Sequence, residues 1–192
     1  MNHGGETEVL SIYLIIGITF AAVTTGCMMM LMAEEHEKKT LRGLVLSPAS
    51  FLDIIVGKSL FTTLITFVTL VICLIMFGAD PVMNLQAIIG LIILFFFFLF
   101  LGVGVGLFVQ SVGMTTAYLM PILFLFGFTP MVWMLNLNEE SIVLKIAEYF
   151  PIPQMLEMHE TKSWSAIGIV LLWFIGSLIF VYICFRRTRK DV

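Results

Sequence analysis

Charge is what this 192-residue chain has least of: Lys and Arg number 10, Asp and Glu 13, and charged residues make up 12 % of the sequence. A soluble domain of this length would bury about two thirds of its unfolded surface and still need a polar exterior for the rest. That exterior is missing, because 60 % of the residues are hydrophobic, Phe alone numbers 18, and the mean hydropathy is +1.07. Lipid must therefore be the solvent for most of the surface. Cysteine is scarce too: Cys27, Cys73 and Cys184 each lie in an apolar run, without disulfide or metal-ligand spacing, and read as small core residues. His3, His36 and His159 are scattered and form no HExxH pair, so no metal site is expected. No Walker A loop occurs, which leaves any ATP chemistry to another chain; no catalytic residue, bound cofactor or nucleic-acid partner is expected. The N-terminus, Met1-Asn2-His3-Gly4-Gly5-Glu6, lacks the basic stretch of a signal peptide, so the first apolar run is expected to be retained.

What is present is long apolar runs. Five can cross a hydrocarbon core of about 30 Å, which takes roughly 20 helical residues. They lie near residues 10–32, 59–77, 85–108, 117–135 and 166–185. Lipid offers no partner to free backbone groups and the runs lack the alternation of barrel strands, so an all-α integral membrane protein follows. With the N-terminus outside, Lys38, Lys39, Arg42, Lys58, Arg186, Arg187, Arg189 and Lys190 all face the cytoplasm, leaving only Lys145 and Lys162 outside. The positive-inside rule thus predicts an outside N-terminus and an inside C-terminus. No Asp, Glu, Lys, Arg or His falls in the central part of any expected span, which argues against an ion-coupled carrier or an intramembrane enzyme.

The connections differ in kind. Gly78–Asn84 reads as a short external turn and Gln110–Thr116 as a short internal one. Residues 136–165 form the longest external segment, where Tyr149, Phe150, Pro151 and Pro153 sit among other apolar residues. That mixture suits short helices lying in, or dipping into, the outer leaflet and broken at the prolines; an ordinary surface loop is the alternative. Gly102 and Gly106 have the small-xxx-small spacing that permits close helix approach, for plain packing or for a dimer or gating contact. Pro121 and Pro130 are placed to kink the fourth span.

One compact charged segment stands between the first two runs, within cytoplasmic residues 33–58. On a helix over Glu34–Leu46, Leu41, Leu44 and Val45 share a stripe about 100° wide, opposite His36, Lys39, Arg42 and Gly43. Glu34 precedes Lys38 by four residues and Glu35 precedes Lys39 by four, each pair contributing about 0.2–0.5 kcal/mol. Ser47-Pro48 then suits the N-cap and first position of a second helix. A plain cytoplasmic loop would also satisfy the charge rule.

The run Glu35-His36-Glu37-Lys38-Lys39-Thr40-Leu41, followed by Leu44 and Ser47-Pro48, resembles the signature of ABC-2 type transporter permeases, with Lys39 where the family often has Gly. The later features recur in the family's order: three more spans, an external segment broken by Pro, a last span and a basic tail. The resemblance implies a single transmembrane domain over residues 1–192 and a cytoplasmic coupling helix that docks on an ABC ATPase subunit. On that footing Glu35, Glu37, Thr40, Leu41, Leu44, Val45, Ser47 and Pro48 would couple to the ATPase. A second permease chain, identical or different, would complete the transporter in the cell membrane. Its cargo would be a drug, antimicrobial peptide, lipid or sodium, and the uncharged spans suit a hydrophobic or amphipathic one. The family usually has six spans with the N-terminus inside. The expectation is therefore a short or split permease, or a C-terminal fragment without the first span. A non-transporting scaffold or immunity protein, gripped through residues 34–48, is the competing reading.

Overall fold

A computed structural model describes residues 3–38, 51–78, 82–135 and 141–188, all of whose regular elements are helical. Helix α1 (His3–Ile18) runs through a π-helical stretch (Thr19–Thr25) into α2 (Gly26–Glu37). Then come α3 (Phe51–Phe77), α4 (Leu85–Phe108) and α5 (Val112–Ile122). A second π-helical stretch (Leu123–Gly127) and a 3-10 helix (Thr129–Leu135) continue α5. Two short helices, α6 (Ile142–Glu148) and α7 (Pro151–Thr161), precede the last, α8 (Ser165–Thr188). Among the described residues, four helical stretches have the length and apolar composition to cross a membrane: Glu8–Glu35, Asp53–Phe77, Leu85–Phe108 and Ser165–Arg187. The protein is an all-α membrane protein.

The fourth expected span departs from a single helix over 117–135. Its apolar helix, Val112–Gly127, starts earlier and is too short to cross alone, and Thr129–Leu135 continues it as a 3-10 turn. The cause is local. Pro121 lies inside α5, where its missing N–H and its ring remove one rung of the ladder. The chain then widens into the π stretch, and the Phe128 N–H closes five residues back on the Leu123 carbonyl.

Helix α4 is the axis of the bundle. Asn84 starts it, its Oδ1 accepting from the Ala87 N–H at 2.7 Å. Its buried side chains Leu94, Phe97, Phe98 and Val103 pack against the first span and α8. Lipid tails are as apolar as Leu, so close backbone approach, aromatic packing and interhelical hydrogen bonds hold such a bundle together. Phe126, Phe97 and Phe150 surround Trp173 of α8 at centroid distances of 5.4, 5.9 and 5.5 Å, tying α4, the second π stretch and the α6–α7 junction to one ring. Helix α3 is the most peripheral, and Leu60, Leu64, Phe67 and Ile75 point outward from it.

Candidate functional site

At the end of the bundle where α2 stops and α3 begins, the sequence places its densest charge. Helix α2 continues without a break through Glu37, so Glu34 and Glu35 are the last turns of the first-span helix. A separate helix starting at Glu34 was the expectation; the apolar run simply keeps its helical ladder past the bilayer edge. Glu34 pairs with Lys38 at i,i+4 as the spacing predicts, and its carboxylate holds the Lys38 ammonium above the usual lysine range. Both groups are exposed, so this pair fastens little.

Glu35 and Glu37 each reach a neighbouring helix, Glu35 partly buried and Glu37 at the exposed edge. Glu35 Oε1 lies 2.9 Å from Lys58 Nζ on α3, with both side chains largely buried. The same ammonium also donates to the Leu31 carbonyl, one turn before Glu35. Glu37 Oε2 accepts from the Val112 N–H at 2.7 Å. Val112 is the first residue of α5, and a carboxylate there meets both an orphan donor and the positive end of the helix dipole. Two residues expected to reach toward a partner thus fasten α2 to α3 and to α5. Lys58, which the sequence reading used only to orient the chain, is the cation of the cluster. Its signal was its place directly before the apolar run 59–77, where a carboxylate on a neighbouring helix offsets the cost of burying the ammonium. Thr40, Leu41, Leu44, Val45, Ser47 and Pro48 lie outside the described residues.

Gly102 and Gly106 bring α4 onto α2. A Cβ at Gly102 would stand 2.9 Å from both the Met28 Cβ and the Thr25 carbonyl oxygen; one at Gly106 would stand 2.6 Å from the Met32 Cβ. The close approach lets the Thr25 hydroxyl donate to the Phe98 carbonyl at 2.9 Å. Beside it, the hydroxyls of Thr24 and Thr66 bond at 3.0 Å and tie the first span to α3. Both Thr24 and Thr25 belong to the π stretch, so two adjoining residues reach two different helices.

The two π stretches touch. Gly127 of the second faces Ala21 of the first, where a Cβ would meet the Ala21 Cβ at 3.3 Å. A Cβ at Gly17, one turn above, would meet the Gly127 carbonyl at 3.0 Å and the Ile152 Cδ1 at 2.4 Å. The wider π turns thus meet near the middle of the bundle, against the tip of α7. Such turns carry an extra residue in the ladder and recur at functional sites.

Helix α7 is a wedge. Phe150 is extended (φ −75°, ψ 152°), Pro151 opens the helix, and Pro151, Ile152, Pro153, Gln154, Met155 and Met158 are all buried. A Cβ at Gly90 of α4 would lie 2.5 Å from Met155 Sδ. Gly17 lies nine residues below Glu8, about 14 Å at 1.5 Å per residue, so Ile152 reaches deep into the bundle. The segment therefore dips inward, one of the two forms its composition allowed. Tyr149 is exposed, with its carbonyl accepting from Trp173 Nε1 at 2.8 Å, while Phe150 is half-buried against that ring. Gln154 Nε2 donates to the Glu148 carbonyl at 2.7 Å and to Glu157 Oε2 at 2.9 Å. Pro121 is exposed and Pro130 is buried.

Chemically, the arrangement offers helices held to one another by charged and packed fastenings. Among the described residues, no group of three or more His, Cys, Asp or Glu side chains could hold a metal ion. A cavity between α1 and α3, lined by Ile12, Thr19, Leu70, Cys73 and Leu74, holds about 10 Å³, room for one water. No curated protein and no solved structure matches the chain. A family model described as ABC-2 family transporter protein matches residues 4–186, and the chain belongs to that family, with a permease-type role in transport.

Proposed function

We propose that the chain is the permease subunit of an ATP-driven exporter, crossing the cell membrane several times with its N-terminus outside and its C-terminus in the cytoplasm. ATP is hydrolysed by a separate cytoplasmic ABC ATPase subunit, and the chain itself is no enzyme and binds no cofactor. A second permease chain completes the transporter. Leu41, Leu44 and Val45 dock on the ATPase, and Ser47-Pro48 sets the angle of the docking helix.

The observation that supports this mechanism is how both flanks of residues 39–50 are fastened. Glu35 grips Lys58 on the far flank, and Glu37 holds the start of α5. A push on the segment therefore reaches α2, α3 and α5 together, and through α5 the second π stretch. The two π stretches are the bistable element, since an extra residue in a helical ladder can be absorbed at more than one place. Their rearrangement would withdraw support from the tip of α7 at Gly17 and open the end that Ile152, Met155 and Met158 now fill. A hydrophobic or amphipathic cargo suits a path walled by such side chains.

Leu41→Asp and Leu44→Asp test the docking. Each should abolish co-purification of the ATPase and substrate-stimulated hydrolysis while membrane insertion is retained. Undiminished co-purification in both variants overturns it. Binding of a cytoplasmic protein without nucleotide-dependent efflux would instead establish the scaffold reading.

A further inference from the structure

We propose that the basic end of α8 holds one anionic phospholipid, its headgroup phosphate on Arg186 and Arg187 and its chains along the outer face of the helix. The two arginines are exposed and, among the described residues, in no ion pair. With Tyr182 and Ile183 they line an open groove of about 340 Å³. Arg186 Cζ stands 5.7 Å from the centre of the Tyr182 ring, a cation–π contact that holds the guanidinium over the groove. A guanidinium presents a planar fork of N–H donors that matches phosphate oxygens in pairs. Cys184, between Ile183 and Arg186 in sequence, turns the other way into the buried cluster of Met28, Met32 and Leu107.

Below the arginines, Ile175, Ile179, Tyr182 and Ile183 are exposed on one face. Ile175 to Arg186 is eleven residues, about 16 Å of helix. That is about half of a 30 Å hydrocarbon core, the depth of one leaflet. Headgroup clamp and apolar stripe are therefore spaced as a phospholipid is. Charge argues against a second copy of the chain here. A two-fold contact would set Arg186 and Arg187 against the same pair, so like charges would face each other.

The test is native mass spectrometry of the full-length chain released from nanodiscs of phosphatidylglycerol and phosphatidylcholine in equal amounts. The wild type should retain phosphatidylglycerol preferentially. Each arginine near the surface contributes about fivefold to anionic-lipid binding, so R186Q/R187Q should weaken retention by roughly 30-fold. Lys38→Gln, at the same end but outside the groove, should leave it unchanged. Equal retention of the two lipids, or a double variant that behaves as the wild type, overturns the proposal. A photo-crosslinking residue in place of Ile183, with both arginines intact, reads the occupant directly. A lipid adduct supports the site and a chain-to-chain adduct overturns it.

Discussion

Replacing Gly106 by Ala should loosen this protein even though Ala is the better helix former. The helix-propensity gain is about 1 kcal/mol. Against it stands the new methyl, 2.6 Å from the Met32 Cβ and 3.0 Å from the Met29 carbonyl oxygen, neither the free end of a flexible side chain. Relief requires α2 and α4 to move apart, and overpacking of this kind costs about 1–3 kcal/mol. The net change lies between neutrality and about 2 kcal/mol of destabilisation, or a loss of up to about 4–8 °C in melting temperature at about 2–4 °C per kcal/mol. Separation of the helices would also stretch the bond from Thr25 to the Phe98 carbonyl. Gly176 of α8 supplies the control, since nothing lies within 4 Å of its added Cβ, and Gly176→Ala should raise the melting temperature by about 2–4 °C. Gly104→Ala should fall between them, because the group it meets is the Phe180 ring, which can swing away. Tryptophan fluorescence during thermal unfolding in detergent reads all three. If Gly106→Ala is as stable as Gly176→Ala, the close contact between α2 and α4 is wrong.

Lys58→Met should remove the cation that the partly buried Glu35 carboxylate faces, costing about 1–3 kcal/mol, and Glu35→Gln in the same chain should recover much of the loss; denaturant titration of the two variants and the double variant measures the coupling. Glu37→Ala should lower stability by about 1 kcal/mol by uncapping α5, and hydrogen exchange should quicken at Val112 and the residues after it rather than across α4. Thr24→Val should cost about 1 kcal/mol by stranding the Thr66 hydroxyl, with Thr24→Val/Thr66→Val costing less than the sum of the two single changes.

Much of this fold was legible because its long helices are written in composition. Leu85–Phe108 is bounded as the sequence suggests, since a polar cap at Asn84 and Gln110 bracket an unbroken apolar run. The first span ran past its apolar stretch because nothing after Met32 breaks a helix before Lys38, and charge alone does not end one. The π stretches could not be read: their extra residue is fixed by Thr24, Thr25 and Gly127 meeting partners far away in the chain, and only Pro121 hinted at the second. Pro151-Ile152-Pro153 signalled a break and an apolar surface, but its depth is set by Gly17 and Gly90, which leave room for Ile152 and Met155. For the charged segment, the helix-surface rule found the exposed pair of Glu34 and Lys38. The contacts of Glu35 with Lys58 and of Glu37 with Val112 depend on where α3 and α5 arrive, which spacing along one helix does not encode.

The most direct test of the central claim is the sidedness of Lys38. In a chain with Cys27, Cys73 and Cys184 replaced by serine, Lys38→Cys should react with a membrane-impermeant maleimide in inverted vesicles, be shielded there by the bound ATPase subunit, and stay unlabelled in intact cells. Labelling in intact cells would put the charged segment on the wrong face of the membrane for any cytoplasmic motor and contradict the account.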